Sequence, residues 1–168
     1  MIQKGIAVIG STTIDQIIHQ NRRTFKAGGV TVYSGMTYSR HGIKTGVITN
    51  IADRNRQVIA CLRKQRILVH NGQTRQTTHF INDIRPGNRR QKNPQRAAPI
   101  RRQQVLDHVK DVDAVHLGPL HPKDIDIGGI KSLKGLDRQV ILDIQGLVRT
   151  VKNGNVDLAV SQQLNDAL

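Results

Sequence analysis

The sequence predicts an α/β fold whose mostly parallel sheet is flanked by helices. Short apolar runs typical of buried strands recur along the chain, beginning with residues 6–9 and closing in Gly10. Between these runs lie segments with helical spacing, of which 54–64 places Val58, Ile59 and Leu62 on one side. Because strands and helices alternate, the chain fits parallel strands joined by helices.

Each element follows from its local pattern. The predicted strands cover 6–9, 15–19, 45–49, 67–69, 73–83, 114–117, 139–143 and 156–160. The predicted helices cover 31–40, 54–64 and 103–109. Gly42 is expected to end the first helix, since glycine readily adopts the left-handed conformation of a helix C-cap. Ser161 is expected to cap a further helix near the end of the sequence.

Residues 85–102 carry seven basic side chains and no acidic one. Pro94 and Pro99 exclude a continuous helix there, so the segment is predicted to be a solvated loop. A contact with an anion or phosphate and a nucleic-acid patch are the alternatives. No aromatic residue lies among these charges, which gives stacking on single strands little support.

The composition indicates one domain, spanning 1–168, with a core of Ile, Val, Leu and Ala because aromatic residues make up only 2%. The formal net charge is +14, but all 12 acidic residues are Asp and Glu is absent. Much of the positive balance therefore reflects missing Glu, and nucleic acid is an unlikely partner.

The expected location is the cytoplasm. No run of about 18 apolar residues exists to span a membrane, and the first residues lack a secretory pattern. A single cysteine, Cys61, excludes a disulfide within the chain.

Residues 5–15 read Gly-Ile-Ala-Val-Ile-Gly-Ser-Thr-Thr-Ile-Asp and are followed by the pair Gly28-Gly29. This arrangement resembles the opening of the ribokinase-like (PfkB) carbohydrate kinases. The resemblance implies a ribokinase-like sheet with a small β lid, whose strands would lie near 15–27 and 73–84. It also implies transfer of the ATP γ-phosphoryl to a hydroxyl of a sugar or nucleoside, the expected small-molecule partner, and a possible homodimer formed through the lid.

The resemblance assigns five residues to the substrate. Asp15 matches the family's sugar-binding aspartate, and a carboxylate at a strand end can accept hydrogen bonds from neighbouring hydroxyls. Ser11 belongs to the same segment, while Gly28 and Gly29 would let the backbone approach the sugar. Tyr33 stands where the family often has Asn. The alternatives are a turn cap or a solvent-facing side chain for Asp15, an ordinary turn for the glycines and core packing for Tyr33.

The residues expected to bind the phosphoryl donor are less complete in this sequence. ATP and Mg²⁺ are cofactors that the resemblance implies, and Asp143, at a predicted strand end, is the candidate metal ligand. The family's Gly-x-Gly-Asp turn occurs nowhere in these residues, and neither does a Walker or Rossmann glycine motif. We therefore predict no catalytic residue here. The spacing of His116 and His121 does not suit a zinc site.

The chain is accordingly expected to be the N-terminal, sugar-binding portion of such a kinase, with the C-terminal part missing, and not to phosphorylate a substrate alone. A partial sheet is expected to expose an apolar edge that favours self-association. The alternatives are an inactive or degenerate relative that acts as a binding module and a basic nucleic-acid-binding protein.

Overall fold

The computed structural model describes residues 4–167. Within this range the strands are β1 Ile6–Gly10, β2 Thr13–His19, β3 Arg22–Gly28, β4 Thr45–Asn50, β5 Leu68–Gly72, β6 Thr78–Arg85, β7 Asn88–Gln95, β8 Ala114–Gly118, β9 Gln139–Leu142, β10 Arg149–Lys152 and β11 Asn155–Leu158. The helices are α1 Val30–Arg40, α2 Arg56–Lys64, α3 Arg102–Leu106, α4 Ile127–Lys131 and α5 Gln162–Ala167. Two 3₁₀ turns occupy Asp53–Asn55 and Ile144–Gly146.

Five strands form a parallel core sheet in the order β5-β4-β1-β8-β9. Every residue of β1 and β4 is buried, as expected for central parallel strands that are covered on both faces. Because side chains alternate along β1, Val8 packs with Val30 of α1 and Leu62 of α2. Ile9 faces the other way, toward Val105 of α3 and Ile130 of α4. The predicted α/β fold with a mostly parallel sheet is confirmed.

A second sheet, the lid sheet, has the order β10-β11-β7-β6-β2-β3. Strands β2 and β3 form a hairpin whose turn residues Gln20 and Asn21 both have positive φ, 48° and 62°. Asn153 and Gly154, with φ of 49° and 78°, close the hairpin between β10 and β11 in the same way. Positive φ at both central residues gives a turn whose twist matches that of the strands. Because β1 ends at Gly10 and β2 begins at Thr13, the chain passes from the core sheet into the lid sheet within a few residues.

The prediction of a solvated loop over residues 85–102 is wrong for Asn88–Gln95, which forms β7. Basic residues are compatible with this strand because β7 pairs with β6 and most of its side chains are exposed. Pro94 is tolerated because the β6–β7 register shifts between His79 and Ile81, and prolines in sheets favour such irregular positions.

The later elements also differ from the predictions. The last predicted strand is present as β11, but it runs antiparallel in the lid sheet rather than joining the core. Helix α3 is shorter than the predicted 103–109, and α4 and β10 were not predicted. The Ser161 hydroxyl has no hydrogen-bond partner within residues 4–167, so this side chain does not cap α5. Gly42 does follow α1 with φ of 77°, as predicted.

Three buried threonine hydroxyls join the ends of β1, α1 and β4. The hydroxyl of Thr12 lies 2.6 Å from that of Thr31 and 3.0 Å from that of Thr49. The Thr12 backbone N–H also donates to the Thr49 hydroxyl at 3.1 Å, and Thr31 donates to the Ser11 carbonyl. All three threonines are fully buried. This threonine cluster fixes the point at which the chain passes from one sheet to the other.

Among residues 4–167, none of the helices combines the length and the hydrophobicity that crossing a membrane requires.

The threonine cluster predicts the cost of deleting one hydroxyl. Thr12→Val keeps the side-chain shape but leaves the Thr31 and Thr49 hydroxyls without a shared partner, so we expect a loss of about 1–3 kcal/mol in the free energy of unfolding. Urea unfolding followed by circular dichroism measures it. Thr24→Val, at an exposed position of β3, is the matched control and should change stability by less than about 0.5 kcal/mol. Equal effects of the two substitutions would show that the cluster contributes nothing specific.

Candidate functional site

A cavity of about 480 Å³ lies where the carboxyl end of the core sheet meets the lid sheet. Ligands of open α/β sheets commonly bind at this edge. The lid sheet, the start of α1 and the loops after β8 and β9 all contribute to its wall. The lining residues are Asp15, Ile17, Lys26, Gly29, Val30, Tyr33, Ser34, Phe80, Asn82, Ile84, Arg89, Gln91, Leu120, Asp143, Gln145 and Arg149.

Asp15 lies on β2, and its carboxylate is held in place by two neighbours. The Thr13 hydroxyl donates a hydrogen bond of 2.7 Å to Asp15 Oδ1. Gly28 is paired with Thr13 across the hairpin, and a Cβ atom at Gly28 would collide with Asp15 Oδ2 and lie 2.8 Å from the Thr13 hydroxyl. Gly28 is not among the cavity-lining residues, but it leaves the space that the Asp15 carboxylate occupies.

Gly29 forms part of the cavity wall immediately before α1. Its φ of 89° is one that side-chain-bearing residues rarely adopt, and a Cβ atom there would collide with the Ser11 carbonyl oxygen. Its own carbonyl accepts hydrogen bonds of 3.1 Å from the N–H groups of Val32 and Tyr33. Glycine at this position therefore allows the start of α1 to lie against the segment after β1.

Tyr33 lines the cavity and is 52% exposed, so the alternative of core packing for this residue is wrong. The Lys26 ammonium lies 5.8 Å from the centroid of the Tyr33 ring, within the range of a cation–π contact. Lys26 faces Asp15 across the β2–β3 pair. These three side chains form one side of the cavity.

Ser11 lies beside the cavity rather than in its wall. Its hydroxyl is buried and donates a hydrogen bond of 2.7 Å to Asp124 Oδ2. The same oxygen accepts from the N–H groups of Leu120 and His121 at 2.9 and 3.0 Å. Ser11 thus ties the segment after β1 to the loop after β8, and its assignment to the substrate remains a prediction.

Asp124 was not singled out from the sequence, and no motif marks it. Burial raises the pKa of its carboxyl above the ordinary value, while hydrogen bonds from Ser11, Leu120 and His121 oppose that rise. Because Asp124 bonds to Ser11, which is distant in sequence, its position between two loops at the cavity becomes apparent only in the folded structure.

Three polar side chains of the lid sheet form a second group that the sequence analysis missed. Asn82 on β6 is buried, and its Oδ1 accepts hydrogen bonds from Arg89 Nη2 at 2.7 Å and from Gln91 Nε2 at 2.8 Å. Arg89 and Gln91 lie two residues apart on β7 and so share one face of the lid sheet. Alternation with the buried residues Thr78 and Phe80 marks the inner face of β6, but it becomes informative only once β7 is recognised as a strand.

Asp143 follows β9 and faces the same cavity as Asp15. Its Oδ1 accepts a hydrogen bond of 2.8 Å from the Gln145 N–H. No group of three or more His, Cys or Asp side chains within 4–167 is arranged to hold a metal ion. Any metal at Asp143 would therefore need most of its ligands from water or from a bound substrate, so its role as a metal ligand stays a prediction.

His116 and His121 have ordinary neighbours. Tyr38 Oη lies 3.0 Å from His116 Nδ1, and burial lowers the His116 pKa. The pKa of His121 is lowered to about 4 by burial and by the charges of Arg96 and Lys123. The two residues have separate hydrogen-bond partners, as suits structural histidines.

Comparisons with known proteins place this geometry in context. No family model and no curated protein sequence matches the chain. Among solved structures, a pyrophosphate-dependent kinase in the ribokinase family, complexed with a pyrophosphate analog and myo-inositol, is 26% identical with a TM-score of 0.82 over 92% of this chain and 54% of that chain. A sulfate complex of a pyrophosphate-dependent kinase in the same family gives 26% identity and a TM-score of 0.84, covering 91% and 55% of the respective chains. Ribokinase from Thermotoga maritima shares the fold at 17% identity, with a TM-score of 0.66 over 83% of this chain and 52% of that chain.

The fold is that of ribokinase-like (PfkB) kinases, and the resemblance predicted from the sequence is confirmed at the level of the fold. Within that class, the chain is similar to the two pyrophosphate-dependent kinases. It spans about half of the length of these structures.

The raised pKa of Asp124 predicts a pH-dependent stability. In the unfolded chain this carboxyl titrates near its ordinary value of 3.8, and in the folded protein it titrates higher. Above both values the folded state buries a charge that the unfolded state leaves in water. The contribution of Asp124 to stability therefore falls as the pH rises from 3.8 through the folded-state pKa.

Asp124→Asn removes this titration and serves as the reference. We expect the free energy of unfolding of the wild type, minus that of Asp124→Asn, to decrease as the pH rises above about 4. Urea unfolding of both proteins across this range measures the difference. An increase with pH would mean that the three hydrogen bonds to the carboxylate outweigh its desolvation.

Proposed function

We propose that this chain is the substrate-binding part of a kinase that transfers a phosphoryl group to a hydroxyl of a sugar or related polyol. The observation that carries the proposal is the Asp15 carboxylate, oriented by Thr13 and given room by Gly28, in a cavity between the two sheets. The myo-inositol complex of a similar kinase supports a ligand of this class.

The cavity suits a polyol chemically. A carboxylate offers two oxygens that accept hydrogen bonds from neighbouring hydroxyls, and the amides of Asn82 and Gln91 can both donate and accept. Ile17 and Phe80 add apolar surface to the wall, against which the C–H face of a sugar ring can pack. A small number of directional polar groups on a partly apolar wall is typical of small-molecule sites.

In this proposal the strands near 15–27 and 73–84 act as a lid over the substrate. Support comes from β2, β3 and β6, which contribute Asp15, Lys26 and Asn82 to the cavity. Gly29 brings the backbone close from the opposite side. Tyr33, in place of the family's Asn, presents a larger group with a single hydroxyl.

On the donor side, the similar kinases are pyrophosphate-dependent, and another structural neighbour was solved in complex with ATP. We propose Asp143 as the side chain that would hold Mg²⁺, which usually takes one or two carboxylates and completes its shell with phosphate oxygens and water. The bound ion would neutralise charge on the phosphates. Because the sequence contains no Gly-x-Gly-Asp turn, we propose that these residues bind the substrate without transferring the phosphoryl group by themselves.

Substitution of Asp15 tests the substrate site. Asp15→Asn replaces a charged acceptor by a neutral amide, so we expect myo-inositol or sugar binding to weaken about tenfold or more. Isothermal titration with a panel of polyols and nucleosides gives the affinities. Asp53→Asn, which alters an exposed aspartate paired with Arg56, is the control and should bind as the wild type does. Unchanged binding by folded Asp15→Asn would exclude this carboxylate as the anchor.

Gly28→Ala tests the same carboxylate without changing its charge. The added methyl group would collide with Asp15 Oδ2 and displace the carboxylate, so we expect polyol affinity to fall about as far as in Asp15→Asn. Gly128→Ala, where the nearest neighbour of the new Cβ would be 3.4 Å away, is the matched control. Normal binding by Gly28→Ala, at wild-type stability, would contradict the proposed role of Gly28.

A further inference from the structure

The cavity contains more positive charge than binding a neutral polyol requires. Lys26, Arg89 and Arg149 line it together with the two carboxylates of Asp15 and Asp143. Asp15 is engaged with Thr13, and Lys26 lies over the ring of Tyr33. Of the remaining cations, Arg89 donates a hydrogen bond to Asn82, and Arg149 takes part in no ion pair among residues 4–167.

Arg149 lies at the start of β10, on the cavity wall, and is partly buried. Across residues 4–167 its guanidinium takes part in none of the ion pairs, which involve Asp53, Asp83 and Asp166. Burial lowers the Arg149 pKa, and the charge of Arg89 lowers it further, whereas Asp143 and Asp124 act in the opposite sense. Arg149 is therefore partly desolvated, and the positive charge of Arg89 acts on it unfavourably.

Arg89, on β7 of the same lid sheet, is held in place by a hydrogen bond of 2.7 Å from its Nη2 to Asn82 Oδ1. Asn82 is itself fixed by Gln91. Arg89 and its neighbour Arg90 are both exposed, but Arg90 belongs to the other face of β7 and is not among the cavity-lining residues. Arg89 of β7 and Arg149 of β10 therefore line the same cavity.

We propose that Arg89 and Arg149 together bind a phosphate group of a ligand that enters this cavity. Two guanidinium groups on different strands provide planar pairs of N–H donors that suit phosphate oxygens. A dianionic group would also offset their mutual repulsion. The phosphate has two possible sources, a phosphorylated sugar as acceptor or a phosphoryl donor such as pyrophosphate. This proposal deepens the proposed function and shares its cavity, but it depends on different side chains.

Binding measurements on the whole chain test the proposal. The probes are inorganic phosphate, pyrophosphate, glucose 6-phosphate and myo-inositol, each titrated calorimetrically at moderate salt. We expect Arg149→Gln and Arg89→Gln to weaken binding of the phosphate-bearing probes about tenfold or more. Arg149→Lys, which keeps the charge but loses the planar fork, should fall between wild type and Arg149→Gln. Arg90→Gln removes the same charge from the other face of β7 and should change affinity by less than about twofold.

A stability measurement separates binding from structure. Since Arg149 is disfavoured by burial and by Arg89, Arg149→Gln should melt at the wild-type temperature or above it at low salt. Loss of phosphate binding together with retained melting temperature supports the proposal. If Arg149→Gln does not fold, the proposal is tested with Arg149→Lys and Arg89→Gln. Their phosphate affinities and melting temperatures are compared with those of Arg90→Gln by the same criteria.

The outcomes separate this proposal from the proposed function. Stronger binding of pyrophosphate than of glucose 6-phosphate would identify a donor subsite, and the reverse order would identify a phosphorylated acceptor. Phosphate binding without myo-inositol binding would support the arginine pair and count against a neutral polyol as substrate. Equal losses in Arg90→Gln and Arg149→Gln, or no phosphate binding by the folded wild type, would overturn the arginine pair whatever the polyol does.

Discussion

The structure depends on the junction at which the chain leaves the end of β1 and enters the lid sheet. The hydroxyls of Thr12, Thr31 and Thr49 satisfy one another there, in a place without access to water. Buried hydroxyls are costly unless they are paired, so the cluster specifies one arrangement of β1, α1 and β4. Asp15 lies three residues beyond Thr12 on β2, and its position at the cavity follows from this junction.

The loop after β8 is tied to the same junction by the buried carboxyl group of Asp124. Ser11 and two backbone N–H groups converge on Asp124, which brings Leu120 to the cavity wall. A buried carboxylate contributes less to stability than its hydrogen bonds suggest, because its desolvation opposes them. Its clearest consequence is geometric, since it sets the distance between the segment after β1 and the loop after β8.

How much could be predicted from the sequence depended on whether a signal was local. The apolar runs of β1 and β4 are local and led to the fold class, while the resemblance of residues 5–15 and of the Gly28-Gly29 pair to the ribokinase-like family pointed to Asp15, Gly29 and Tyr33. Strand β7 was missed because its basic residues and Pro94 argue locally against a strand, and only pairing with β6 overrides them. No sequence pattern marked Asn82, Arg89 and Arg149 as neighbours, because their proximity depends on that pairing and on the presence of β10.

The two sides of the cavity differ in how fully these residues form them. The side of the cavity around Asp15 and Asn82 is held by paired strands and by partly buried hydrogen bonds. On the other side, β9 pairs with β8 at the edge of the core sheet, and Val140 and Ile141 remain 42% and 37% exposed. Parallel strands are usually covered on both faces, so this edge matches the predicted apolar surface. Arg89 and Arg149 belong to strands β7 and β10 of the lid sheet and line the cavity together with Asp143, which follows β9.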